Sequence, residues 1–240
     1  MTMIKNTKTV GGPKRKVAFF DVDGTIFRSS LLIELVYALM KQGLFPKTAE
    51  RIFINEKRDW NNRQGSYEDY IMAVVKTFMK HIRGVPYKDF MNVGEKLVGF
   101  EKDKNYNYTK ELILKLKKKG YFIVAISQSP KGILDKFCKN LNFDKVYGRM
   151  YELGPDDEFT GQVMDEHLIE NKANIIKRVI EKENLTLKDS YACGDTEGDI
   201  SMLEMVDRPI CFNPNQKLFR YAKINKWPVV VERKDVIYEI

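Results

Sequence analysis

From Lys16 onward, short apolar runs alternate with longer stretches whose apolar residues recur at helical spacing. Val17–Phe20, Tyr121–Ile126, Lys145–Tyr147, Tyr191–Cys193, Ile210–Phe212 and Val229–Val231 predict buried strands. Between them, Tyr106–Lys119, Lys131–Asn140, Leu168–Glu183, Asp199–Met205 and Asn215–Asn225 predict helices. Uninterrupted apolar strands separated by amphipathic helices point to an α/β core, a Rossmann-like parallel sheet with helices on both faces.

The rhythm breaks once, where roughly 75 residues intervene between the first strand and the helix leading to the second, far more than a connecting loop needs. This insertion, residues 28–104, reads as a small all-helical cap domain between core segments 16–27 and 105–240. Ser30–Gln42 carries a stripe from Leu31 to Met40 and is closed by Gly43. Thr48–Trp60 and Pro86–Gly99 are further helices, and Ser66-Tyr67-Glu68-Asp69 resembles a capping box opening Tyr70–His81. The two linkers, near Ile26–Ser29 and Glu101–Asn105, are the expected hinges. Past the third strand, Gly154-Pro155-Asp156-Asp157 predicts the turn of a β-hairpin spanning Lys145–Val163, placed beside the site.

Composition narrows the class. With 43 % hydrophobic and 12 % aromatic residues among 240, the chain can bury a sizeable core, which excludes wholesale disorder. No apolar run approaches the ~18–20 residues of a membrane-spanning helix, and the start does not read as a secretory signal. Cys138, Cys193 and Cys211 are odd in number and lack C-x-x-C spacing, so a reducing cytoplasm is expected. Of the net charge of +8, Lys5, Lys8, Lys14, Arg15 and Lys16 supply +5 with no acid among them, leaving an ordinary +3 for the body. A solvated basic tail, residues 1–15, is the expectation rather than a nucleic-acid-binding arm.

The candidate chemistry sits at strand ends. Asp21-Val22-Asp23-Gly24-Thr25 follows the first strand, and residues i and i+2 of an extended chain point the same way, so both carboxylates can face one site. A calcium loop would need Gly at the sixth position and Glu at the twelfth, where Ile26 and Leu32 stand. Ser127-Gln128-Ser129-Pro130 follows the second strand, where a hydroxyl and backbone N–H groups suit a phosphate. Taken alone, Ser127 reads as a helix N-cap before it reads as a ligand. Lys172 opens a later helix, and Gly194-Asp195-Thr196-Glu197-Gly198-Asp199 adds acids where a magnesium ion would want oxygen ligands.

In order and placement these four segments resemble the motifs of the haloacid dehalogenase superfamily of phosphatases, in particular its phosphoserine phosphatase-like branch. The resemblance runs from about Lys16 to Glu232 and includes a helical cap inserted after the first motif. It implies a magnesium-dependent phosphomonoester hydrolase. Asp21 would be the nucleophile, forming an aspartyl-phosphate, and Asp23 the general acid and base. Ser127, Gln128 and Lys172 would hold the phosphoryl oxygens, while Asp21, Asp23 and Asp195 bind Mg2+ and Asp199 binds it through water or orients Lys172. The same intermediate would serve a phosphotransferase, and a non-catalytic anion- or nucleic-acid-binding module is a third reading.

The substrate is expected to be a small phosphorylated metabolite. Phosphoserine phosphatases of this branch carry a glutamate several residues after the nucleophile, whereas Phe27-Arg28-Ser29-Ser30 offers no acid before Glu34. Arg28 instead hints at an additional negative group on the substrate, or is a solvent-facing hinge residue. Trp60, Tyr67 and Tyr70 could form an aromatic wall but fit a helical core equally well, and His81 and His167 are read as structural.

Overall fold

The computed structural model describes residues 13–139 and 141–240, with every side chain among them except those of residues 167 and 168. The predicted basic tail and the histidine at 167 therefore lie largely outside the described residues, and Arg15 already opens the first strand. The strands are β1 Arg15–Phe20, β2 Phe122–Pro130, β3 Lys145–Leu153, β4 Phe159–Met164, β5 Leu185–Gly194, β6 Arg208–Phe212, β7 Val229–Arg233 and β8 Val236–Glu239. They form one eight-stranded sheet in the order β4-β3-β2-β1-β5-β6-β7-β8. Its inner strands pair in parallel, and the edge strands β4 and β8 pair antiparallel to β3 and β7.

Alternation along β1 explains why its apolar run is unbroken. Ala18 and Phe20 point into one buried cluster, Val17 and Phe19 into the other. The first face is covered by α5 (Asn107–Lys118) and α6 (Lys131–Cys138). The second is covered by α8 (Lys172–Glu183), α9 (Ile200–Leu203) and α10 (Gln216–Asn225). A four-residue α7 (Glu166–Ile169) precedes α8. The α/β fold with helices on both faces is thus as the sequence pattern predicted.

The insertion contains α1 (Leu31–Lys41), a 3₁₀ turn at Lys47–Ile52, α2 (Ile54–Asn61), α3 (Tyr67–Ile82) and α4 (Tyr87–Glu101). Its apolar residues do not enclose a core of their own. Leu35, Phe78 and Phe90 belong to the same continuous cluster as Phe20, Ile123 and Ile133 of the sheet and α6.

Boundaries depart from the pattern where a side chain intervenes. The expected helix Thr48–Trp60 is split at Phe53, whose backbone leaves the helical region (φ −128°) and whose ring packs 5.6 Å from Tyr37. The third starts at Tyr67 rather than Tyr70, because Ser66 Oγ accepts the Asp69 N–H at 3.1 Å and caps it there. The expected helix Leu168–Glu183 is interrupted because Asn171 Oδ1 accepts the Ala173 N–H at 3.0 Å and restarts the helix at Lys172. Past Val231 the chain turns at Lys234 (φ +55°) and returns as β8, an edge strand without the alternating burial that would have announced it.

Among the described residues, backbone-to-backbone hydrogen bonds tie the insertion to the sheet at two places. At the linkers, Arg28 N–H donates to Lys104 O and Tyr106 N–H to Ile26 O, each at 2.9 Å. At the far end, the predicted hairpin, now β3–β4, is bonded to the α3–α4 connection: Gly84 N–H donates to Phe159 O at 2.8 Å, Phe159 N–H to Val85 O at 3.0 Å, and Tyr87 N–H to Asp157 O at 2.8 Å. Phe159 then buries its ring 4.9 Å from Phe90.

The hairpin also lies tightly on α6. A Cβ at Gly148 would fall 2.9 Å from Lys131 Cα and 3.0 Å from Ser129 O, both immovable backbone atoms. Gly148→Ala is therefore expected to destabilise by about 1–3 kcal/mol, the usual cost of overpacking. Thermal unfolding should report a drop of several degrees, and an unchanged midpoint would refute the close approach.

Candidate active site

β1 lies at the point where the chain order reverses, with β2 on one side and β5 on the other, so the loops after these strands diverge and leave a cleft at their carboxyl ends. Asp21 is the first residue past β1, and its N–H donates to Cys193 O at 2.9 Å, extending the pairing with β5 by one step. Gly24 (φ +77°) then turns the chain so closely over the neighbouring loop that a Cβ there would fall 2.0 Å from Asp195 Oδ2. At Gly194 a Cβ would fall 2.5 Å from Asp199 Cβ. Both glycines let the backbone approach the carboxylates.

Lys172, the first residue of α8, is buried and reaches Asp21 Oδ1 and Asp199 Oδ1, each at 2.5 Å. The other oxygen of Asp199 accepts the N–H groups of Asp195 and Thr196 at 3.0 and 3.1 Å. Asp199 is thus fully engaged in holding Lys172 and its own loop. Asp23 points the same way as Asp21, as i, i+2 spacing requires. Its Oδ2 accepts from Ser127 Oγ at 2.6 Å and Ser129 Oγ at 2.8 Å, and its Oδ1 from the Leu31 N–H at the start of α1, at 2.6 Å.

The charge balance is lopsided. Oxygens of Asp21, Asp195 and Asp199 lie within 4.8 Å of one another, with Asp23 beside them and one ammonium among them. Burial pushes the Asp21 carboxyl up to about 8, against the pull of Lys172 and with the repulsion of Asp199 and Asp23. Burial, then Asp21 and Asp199, push Asp195 well above the usual carboxylate range, and burial raises Asp23 despite the Ser127, Leu31 and Ser129 bonds. Burial opposes the charge on Lys172, but Asp199 and Asp21 outweigh it and raise its value.

The cleft is floored by Asp21, Asp23, Ser129, Lys172 and Asp195, and walled by Leu32 of α1, Tyr67, Ile71 and Val75 of α3, and Arg149 and Tyr151 of the hairpin. Gln128 lines it too, whereas Ser127 is buried behind it on Asp23. Arg28 is not brought in: its side chain is exposed and outside the lining. Of the three candidate wall aromatics only Tyr67 faces the cleft. Tyr70 is buried beside Phe53, and Trp60 packs on Tyr67 from outside, 5.4 Å ring to ring. His81 is structural, with Nδ1 2.8 Å from Thr77 O. Pattern reading missed Ser129, Arg149 and Tyr151. For Ser129 the i, i+2 relation to Ser127 was an available signal; the other two had none. A wider depression at Arg208–Ile210 and Trp227–Val230 lies at the opposite ends of β6 and β7, away from the carboxylates.

Comparison with known proteins identifies the family. The family model for haloacid dehalogenase-like hydrolases matches residues 18–204. The chain belongs to that family. It is a hydrolase of phosphoric monoesters. Among curated relatives of this hydrolase, the inhibition of morphological differentiation protein of Streptomyces azureus is 24 % identical over 236 residues, 95 % of this chain and 82 % of that one. A histidinol-phosphatase of Neisseria meningitidis serogroup C is 24 % identical over 225 residues, 90 % of this chain and 98 % of its own. Among solved structures, a phospho-aspartyl intermediate analogue of phosphoserine phosphatase superposes with a TM-score of 0.64 at 22 % identity, covering 93 % of this chain and 96 % of the other, a likeness of fold.

The donor set suits a hard divalent cation. Carboxylate oxygens without enough positive charge, on a loop closed down at Gly24, match the all-oxygen preference of magnesium. A folded state that holds the Asp21 proton up to about pH 8 binds more protons than the unfolded chain above about pH 4. Cation-free stability should therefore fall as pH rises across that window, and an added divalent cation should stabilise more at pH 8 than at pH 5. At ~100-fold excess over Kd the gain should be about 2.7 kcal/mol, or about 5–10 °C in Tm. Thermal shift at both pH values checks this; an equal shift at both would contradict it.

Proposed function

We propose that this phosphatase acts through a covalent aspartyl-phosphate on Asp21, with magnesium as its cation and a small phosphorylated metabolite as its substrate. The observation that carries the reading is the pairing of two carboxylates in different settings. Asp21 stands at the cleft floor against Lys172, while Asp23, two residues on, is held by two serine hydroxyls and a backbone N–H. A nucleophile and an acid–base group need that difference.

In the first half-reaction an Asp21 oxygen attacks phosphorus, the ester P–O bond breaks, and Asp23 gives its proton to the departing alkoxide. In the second, water attacks the same phosphorus, Asp23 takes its proton, and the bond to Asp21 breaks, returning both carboxylates to their starting state. Lys172 balances charge on the phosphoryl oxygens as it builds. Ser127 turns from Asp23 towards the phosphoryl group and the Gln128 N–H joins it, while Ser129 stays on Asp23. Asp199 keeps Lys172 in place. Asp21, the Asp23 carbonyl and Asp195 would hold magnesium, which supplies neutralisation of phosphoryl charge. The names of the relatives, a histidinol-phosphatase and a phosphoserine phosphatase with a phospho-aspartyl analogue, support the reaction class. The apolar wall of Leu32, Ile71 and Val75 supports an alcohol portion that packs against carbon.

Phosphate release from a panel of small phosphomonoesters, with and without magnesium, tests the reading. Asp21→Asn should abolish turnover while leaving the unfolding midpoint close to wild type. Asp23→Asn should cost about 10²–10⁴-fold in kcat, the scale of general acid–base catalysis. Measurable hydrolysis by the Asp21 variant would remove it as nucleophile.

A further inference from the structure

We propose that Arg149 is a specificity-determining residue that receives a second acidic group, carried on the alcohol part of the substrate. This rests on the phosphatase reading above and adds to it a substrate class, phosphomonoesters that also bear a carboxylate or a comparable anion.

The cleft lining contains two cations, Lys172 and Arg149. Lys172 spends two of its three donors on Asp21 and Asp199, at the place where the phosphoryl group is read to sit. Arg149 is only partly engaged. A guanidinium offers five N–H donors, yet among the described residues only Nη2 has an acceptor at hydrogen-bond distance, Gln128 Oε1 at 3.0 Å. Nε is buried with no partner among the described residues. The nearest carboxylate, Glu166, is 4.0 Å from Nη1, and its own side chain is 53 % exposed against 12 % for Arg149. An always-charged group that is largely buried, with a single hydrogen bond and an unpartnered Nε among the described residues, is incompletely accounted for by the fold's own bonding and suited to a planar anion.

Its position separates it from the phosphoryl site. Ser127 and Ser129 both turn to Asp23, whereas the Gln128 side chain between them turns to Arg149, so within the cleft the guanidinium neighbours Gln128 and not the Asp23 carboxylate. Arg149 and Tyr151 are i, i+2 neighbours on β3 and both line the cleft. The acid on the α3 wall, Glu68, has Glu197, Lys217 and Asp69 as its charged neighbours and forms no ion pair with Arg149. The hairpin carrying Arg149 is also held still, by the Phe159 and Asp157 backbone bonds to residues 84–87. A guanidinium held in place on the cleft wall, with Nε lacking a partner among the described residues, recognises without having to be ordered first.

The test compares matched esters, 3-(phosphonooxy)propanoate against propyl phosphate, in wild type, Arg149→Met and Arg149→Lys. Arg149→Met keeps the apolar stem, and unfolding midpoints near wild type establish that each variant folds. Wild type should favour the carboxylate-bearing ester. Arg149→Met should lose about 10–100-fold in kcat/KM on it, the worth of a charged hydrogen-bonded contact, mainly through KM. Propyl phosphate should change by no more than about 3-fold, on the same reasoning that its alcohol has nothing for Arg149 to bind. Arg149→Lys should restore part of the preference. No preference in wild type, or equal losses on both esters, overturns the assignment while leaving the phosphatase reading intact. If wild type hydrolyses neither ester, the pair 3-phosphonopropanoate and propylphosphonate is titrated calorimetrically with magnesium present. Tighter binding of the carboxylate, lost in Arg149→Met, sustains Arg149; equal affinities or no binding of either overturns it.

Discussion

A single buried ammonium group organises the centre of this protein. Lys172 Nζ lies 2.5 Å from both Asp21 and Asp199, which belong to loops following different strands, so one cation joins β1, the loop after β5 and the first turn of α8. Taking such charges out of water costs several kcal/mol per ion unless each is well paired. Here Asp199 is satisfied on both oxygens, while Asp21 and Asp195 are left with raised proton affinities. The fold carries this cost because its strands converge there. Were the cluster rebuilt from apolar residues of similar volume, the chain could be more stable, but the cleft would lose its negative floor.

The parallel sheet supplies the convergence and the insertion supplies the walls. Because the insertion shares one apolar cluster with the sheet face, its helices are anchored by the same burial that holds β1 and β2. The Leu31 N–H bond to Asp23 links the first helix of the insertion directly to a carboxylate of the floor. The hairpin closes the arrangement from the other side, with its tip on the α3–α4 connection and its base on α6. Floor and walls thus form one packed body.

Much of this was legible in the chain because it depends on local relations. Alternation with period two put Asp21 and Asp23 on one side, unbroken apolar runs announced a sheet covered on both faces, and glycines beside acids marked tight turns. Helix boundaries were less legible, since Phe53 and Asn171 interrupt continuous patterns through a ring seeking its pocket and a side chain capping a new start.

Sequence by itself determined the α/β class, the helical character of the insertion, the hairpin and the order of the acidic and hydroxyl-bearing segments. Only the tertiary structure decided which side chains share the cleft: that Ser129 joins Ser127 on Asp23, that Tyr67 faces inward while Tyr70 does not, and that Arg149 rather than Arg28 lines the wall. The physical reason is distance along the chain. Asp23 and Ser129 are separated by 106 residues and Lys172 and Asp21 by 151, so their meeting is set by sheet order and helix packing, about which no local pattern carries information.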